Sequence, residues 1–281
     1  MTDAVRTGHP GAAAHLTRRE MMAGLILVGL ANGIAARAVT AVTESGWQAA
    51  LFATFDISTI VWIGCVLVLR LAWQAPDTPL RRWDGPVAVL CLLAFLLPVG
   101  QASWVALTLL ALHLGLTTPA DSALRRAGFL LFMLCLPLFW ARLLLSTFSG
   151  VFLDTDAAIV AALAGTTAMQ NTVPFADGSG ILWIAPACSS VLNLALTLLC
   201  AALFAVGNAL PWSWRLTGWT LLACIAVSAV NIARLTALVL FPAQYDRLHG
   251  PEGGAAFSLL ILAVMVGILA FGTRHERALA A

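Results

Sequence analysis

Long apolar runs recur along this chain of 281 residues, and their length constrains the fold more than any other feature. An α-helix needs about 20 apolar residues to cross the hydrocarbon core of a bilayer. Eight candidate spans can be read, at 21–38, 51–73, 86–100, 102–118, 127–148, 187–207, 216–241 and 254–272. Pro98, Gly100 and Gln101 separate the third from the fourth as a tight hairpin. Hydrophobic residues make up 61% of the chain and charged residues 10%, where an ordinary soluble domain has roughly 45–50% and 25%. A soluble protein of this size cannot hide so much apolar surface, so the excess must face lipid. The expectation is an all-α polytopic membrane protein: one integral membrane domain over 1–281 with about eight transmembrane helices.

All fifteen basic residues are arginine, which removes every lysine-based mechanism at once. A formal net charge of +2 with no basic run gives nucleic acid no footprint. The arginines also suggest an orientation. Arg6, Arg18, Arg19, Arg81, Arg82, Arg125, Arg126, Arg215, Arg274 and Arg277 all fall on one side if both termini are cytoplasmic. The loops of the other side (39–50, 149–186 and 242–253) hold only Arg247, with Arg37 at the rim of span one. Residues 1–20 read as a cytoplasmic tail and not as a removed signal peptide. The six cysteines are scattered without metal-ligand spacing, so neither a disulfide framework nor a metal site is expected, and no cofactor is called for.

Residues 149–186 are too long for a simple link. They carry Asp154, Asp156 and Asp177, no basic residue, and an apolar stretch at 157–163 that reads as a surface-lying helix or as a partly ordered linker. Gly178, Gly180 and Pro186 then turn the chain back toward the membrane.

Ionisable groups within spans mark function by default. Arg37, Arg70 and Arg142 stand near span ends, where snorkelling explains them. His113 reads as a hydrogen-bonded structural histidine. Asp56, near the outer end of span two, has no sequence-local partner, and structural and functional roles stay open for it. Arg234 is different. It lies about 10 Å below the helix end that Pro242 enforces, and Asn231, three residues earlier, shares its face. Pro186 suits a helix start, which would put Cys188 in the first turn of span six, where free N–H groups favour a thiolate. His249 follows span seven. Topology alone therefore brings a nucleophile, a general acid–base and a fixed charge to one membrane face, with coincidental placement as the rival reading.

At these residues the chain resembles the exosortase/archaeosortase family of membrane-embedded cysteine transpeptidases. The resemblance rests on Ala187-Cys188-Ser189-Ser190-Val191, on Asn231-Ile232-Ala233-Arg234-Leu235, and on His249 with Gly253 four residues on. Ala164-Gly165-Thr166 is similar to the family's Leu-Gly-Thr stretch. It covers roughly 150–260. Ser190 stands where the family usually has Gly; no reactive atom is lost by that change, although a close backbone approach would be narrowed. The resemblance implies a catalytic set of Cys188, Arg234 and His249, with Asn231, Ser189, Ser190, Gly253 and Asp56 as substrate-binding or supporting candidates. It implies cleavage of a C-terminal sorting signal (a short motif, a hydrophobic helix and a basic cluster) from secreted proteins at the outer face of a prokaryotic cytoplasmic membrane. The new C-terminus would pass through a thioester to a surface acceptor.

Two other classes remain open at this stage. A transporter would need a through-going polar track, whereas the strong polar residues cluster at one face. A membrane glycosyltransferase or ligase acting on lipid-linked sugars would usually carry a larger, more charged outer loop. H-E-x-x-H, Gly-x-Gly-Asp and Gly-x-Ser-x-Gly are absent from the sequence, which leaves other intramembrane proteases without a signature.

Overall fold

The computed structural model describes residues 16–280. Thr17 opens α1 (Arg18–Ser45) with a capping box: its hydroxyl accepts from the Glu20 N–H, and the Glu20 carboxylate accepts from the Thr17 N–H at 2.9 Å. The first helix thus begins inside the segment read as a tail and runs seven residues past the expected end at 38. Residues 1–15 of that segment, with Arg6, lie outside the described residues.

Short α2 (Trp47–Phe52) and a left-handed turn at Thr54, Phe55 and Asp56 (φ 53°, 55° and 54°) lead into α3 (Thr59–Trp73). The hairpin expected at Pro98 joins α4 (Asp84–Leu96) to α5 (Gly100–Thr117). Helix α6 (Ala123–Cys135) passes through a π turn at Leu136–Trp140 into α7 (Ala141–Thr147). Pro137 lacks the N–H that an unbroken α-ladder needs, and the wider turn accommodates it.

The long connection is ordered. It forms α8 (Ser149–Ala164) and an antiparallel hairpin of β1 (Thr172–Pro174) and β2 (Ile181–Trp183), with Val173 paired to Leu182. Then follow α9 (Ser190–Gly207), α10 (Trp214–Leu240), short α11 (Tyr245–His249) and α12 (Pro251–Ala280).

Among the described residues, six helical segments are long and apolar enough to cross a membrane: α1, α5, α6 with α7, α9, α10 and α12. The expected second and third spans are only 15 and 13 residues long as α3 and α4. At 1.5 Å per residue they reach about 20 Å, short of a hydrocarbon core of about 30 Å. The all-α, multi-pass character holds, with six segments of crossing length among the described residues and two shorter apolar helices at the other two expected spans.

Two apolar clusters organise the packing. The larger joins α1, α3, α4, α5, α6, α9, α10 and α12 along the bundle. The smaller lies at one end and is built from Leu153, Ala157 and Val160 of α8, Val173 and Leu182 of the hairpin, and Ile232, Leu235 and Val239 of α10. The Ala176 N–H donates to the Val239 carbonyl at 3.0 Å, so the hairpin satisfies a carbonyl in the last turn of α10.

At the opposite end a buried polar cluster ties three helices together. Arg18 Nε donates to Asp84 Oδ2 at 2.8 Å, and its Nη2 donates to the Thr117 hydroxyl at 2.6 Å. His113 Nε2 lies 2.7 Å from Asp84 Oδ1, so His113 has the structural, hydrogen-bonded place expected of it. Asp84 is fully buried. Replacing it leaves a buried guanidinium uncompensated, which costs about 3–5 kcal/mol. Asp84→Ala is expected to lower unfolding stability by that order in detergent titration, while an exposed control such as Asp246→Ala stays near wild type.

Candidate active site

The entry to α9 is the centre of the site, and it is built differently from the sequence expectation. Cys188 does not sit in the first helical turn. Pro186–Cys188 form a single 3-10 turn, Ser189 is the N-cap, and the helix begins at Ser190. Two helix-start signals compete here. Proline fixes φ but offers no side-chain acceptor, whereas the Ser189 hydroxyl accepts from the Val191 N–H at 3.3 Å and sets the boundary. Cys188 is left on non-helical backbone and half-buried, with its own N–H committed to the Ala185 carbonyl at 2.8 Å.

That short non-helical stretch is held from two sides. Asn231 Nδ2, on α10, donates to the Cys188 carbonyl at 2.9 Å and lies 3.2 Å from the Ser190 hydroxyl. From α8, the buried Asp156 carboxylate accepts from the Ser190 N–H at 3.1 Å, where a negative charge also complements the helix N-terminus. Ser190 therefore does not merely fill the place of a glycine: its hydroxyl and its N–H both join the clamp.

Arg234 lies one turn beyond Asn231 on α10. Its guanidinium carbon is 5.6 Å from the centre of the Phe257 ring on α12. Its Nε is buried and has no hydrogen-bond partner among the described residues. A donor held in this way is costly unless an acceptor arrives. The neighbouring Thr236 hydroxyl and that of Thr166, in the Ala164-Gly165-Thr166 stretch, are likewise buried and unpartnered. Gly165 itself closes α8 with φ 71°, and the Thr166 N–H returns to the Ala161 carbonyl at 2.9 Å.

His249 is exposed at the end of α11 and stacks on Tyr245, four residues earlier, with centroids 5.0 Å apart and planes at 10°. Tyr245 in turn packs against Phe175 of the hairpin loop, centroids 5.8 Å apart. Gly253 has a steric explanation: a side chain there would run into the backbone carbonyls of Arg247 and Leu248. The tight junction between α11 and α12 requires its absence. In the hairpin turn, Asp177 accepts from the Ser179 hydroxyl and N–H, which holds its carboxyl below the usual range.

The structure thus joins Cys188, Ser189, Ser190 and Asn231 in one hydrogen-bonded unit and sets Arg234 and His249 on elements packed around the same small cluster. No hydrogen bond links Cys188, Arg234 and His249 directly. Asp56 stands apart, exposed in the left-handed turn before α3. It lines one cleft with Arg37 and Arg142 and another with Asn193 and Ser258, and neither cleft is lined by the three candidate catalytic residues. The sequence reading missed Asp156 as a clamp, Phe257 and Tyr245. Only Tyr245 carries a local signal, because it is the one tyrosine of the chain and is spaced i, i+4 from His249. Among the described residues, no three His, Cys, Asp or Glu side chains are grouped to hold a metal ion.

No family model, no curated protein and no solved structure matches this chain.

The clamp leads to a direct expectation. Asn231→Ala removes both contacts to the α9 entry and leaves the Cys188 carbonyl without that donor. It should destabilise the protein by about 1–3 kcal/mol, read by detergent-induced unfolding.

Proposed function

We propose that the chain is an exosortase-like cysteine transpeptidase or protease of a prokaryotic cytoplasmic membrane, with both termini inside and the Cys188 end facing out. The observation that carries the reading is the shared face of α10. Asn231 fixes the backbone of Cys188, and one turn on, Arg234 holds a buried N–H that lacks an acceptor. A developing oxyanion is such an acceptor. The orientation follows from the arginines: ten of those in the described helices and links stand at the end shared by the termini, counting Arg70, and four (Arg37, Arg142, Arg234 and Arg247) at the Cys188 end. In this reading the shorter α3 and α4 complete eight passages.

The chemistry assigns each group one task. The Cys188 sulfur attacks the scissile carbonyl of a membrane-anchored, C-terminal sorting signal. Arg234 stabilises the tetrahedral oxyanion. His249 takes the thiol proton and returns it to the leaving amine of the hydrophobic tail. The thioester then passes the new C-terminus to a surface acceptor or to water. Gly253 keeps α11 close to α12 so that His249 is presented at the rim, and the Asp156–Ser190–Asn231 clamp keeps the half-buried Cys188 in the 3-10 turn ahead of α9. Asp56 has a supporting place at most, at the same end of the bundle.

Co-expression with tailed secreted proteins tests the proposal. Loss of the C-terminal helix is expected with wild type and abolished by Cys188→Ala at unchanged membrane insertion. Arg234→Lys keeps the charge but loses the planar fork of donors. It is expected to lower processing per folded molecule by about 10²–10³-fold. Processing that survives Cys188→Ala overturns the cysteine mechanism, and a fully active Arg234→Lys reduces Arg234 to an interfacial anchor.

A further inference from the structure

A cleft of about 490 Å³ lies at the other end of the bundle from Cys188, between the start of α6 and the link from α9 to α10. It has no part in the chemistry above. Asp121, Arg125 and Arg126 form its polar rim, and Phe129 and Trp212, packed edge to face at 5.8 Å, form its apolar wall. A second cleft of 380 Å³ shares Arg125 and Phe129 with the first and continues along α5 and α6 past Gly115, Gly128, Phe132 and Met133. Its lining is almost wholly apolar. The two grooves therefore meet at Arg125 and Phe129, with Arg126 on the wall of the first.

Neither arginine has a carboxylate partner within salt-bridge distance among the described residues. The Arg125 guanidinium donates to the Thr118 carbonyl, at 3.3 Å. Arg126 carries a buried Nε with no hydrogen-bond partner among the described residues. Two consecutive arginines in the first turn of α6, both lining one cleft, are unfavourable in themselves, since like charges repel and the helix N-terminus is already positive. An anion in the cleft removes all three penalties. Counting Asp121, the rim carries a net charge of +1, which matches a single phosphodiester.

We infer that the paired clefts around Arg125 and Arg126 bind an anionic glycerophospholipid, its phosphate on the two guanidiniums and its two acyl chains in the grooves on either side of Phe129. Arg126 Nε donates to one phosphate oxygen and the Arg125 fork to another. Asp121 accepts from a hydroxylated headgroup beyond the phosphate, and for that reason phosphatidylglycerol is the fitting probe. Basic pockets between helices are a known form of lipid headgroup recognition. This assignment is independent of the proposed activity, because none of its residues lies near Cys188.

Native mass spectrometry of the full-length protein, released from detergent with phosphatidylglycerol or phosphatidylcholine added, tests it. The expected result is a resolved phosphatidylglycerol adduct at least about tenfold tighter than phosphatidylcholine, the scale of one charge-assisted contact. Inorganic phosphate should compete weakly, since it lacks the chains. The double change Arg125→Gln with Arg126→Gln should abolish the preference. Arg274→Gln with Arg277→Gln, which removes the same charge from exposed positions at the same end, should leave it intact. Equal binding of both lipids to wild type overturns the inference, a result that does not depend on any variant folding. Equal loss in both double variants also overturns it, in favour of general surface attraction. Competition by inorganic phosphate as strong as by the lipid would leave a simple anion site and overturn the lipid assignment.

Discussion

In a chain this apolar, backbone that leaves the helical ladder must find its hydrogen-bond partners inside the protein, because a bilayer core offers none. The entry to α9 is where that constraint bears hardest. From Ala185 to Ser190 the chain is a 3-10 turn followed by an extended cap, set among α8, α10 and the hairpin. Every element around it contributes to its satisfaction. Asn231 reaches across from α10 and Asp156 from α8, and the hairpin is itself fastened to the end of α10 through Ala176 and Val239. The small apolar cluster beneath them is what brings three elements, distant in sequence, close enough to do so.

Two polar clusters at opposite ends of the bundle solve the same problem in different ways. At the end near the termini, Arg18, Asp84, His113 and Thr117 form a closed cluster in which the charges have partners. At the Cys188 end, polar groups are left open: Arg234 Nε, Thr236 Oγ1 and Thr166 Oγ1 are buried without acceptors or donors. A closed cluster supports the fold, whereas an open one stores unsatisfied capacity that a substrate can meet. This contrast separates His113, a structural residue, from Arg234, a candidate for chemistry, although both are ionisable groups within apolar runs.

Much of this was legible in the sequence, and the exceptions have physical causes. Uninterrupted apolar runs announce helices in lipid without need of periodicity, so the long helices were read within a few residues of their bounds, except at the C-terminal ends of α1 and α12, where polar residues continue the helix. Length, which apolarity does not report, is what separates α3 and α4 from the rest. The turn at Gly178 and Gly180 was visible, but strands of three residues are too short to show alternation. Asp84 and His113 are 29 residues apart, and Asp156 and Ser190 are 34 apart. Such pairs leave no local spacing to read. Cys188 was placed one turn too deep because Pro186 and Ser189 are both good helix-start signals, and only the folded chain shows which one caps. The Asn231 and Arg234 pair was legible because i, i+3 spacing on a helix fixes a shared face regardless of surroundings.

The central claim is that the clamp presents Cys188 as a reactive thiol on the face opposite the termini. Thiol modification of intact cells with a membrane-impermeant maleimide tests it most directly. Cys224 provides the comparison, since it is the other half-buried cysteine and lies in mid-helix on α10. The account expects Cys188 to be modified from outside at least about tenfold faster than Cys224 and the four buried cysteines. Modification of Cys188 no faster than Cys224, or only after the inner face is opened, would contradict it.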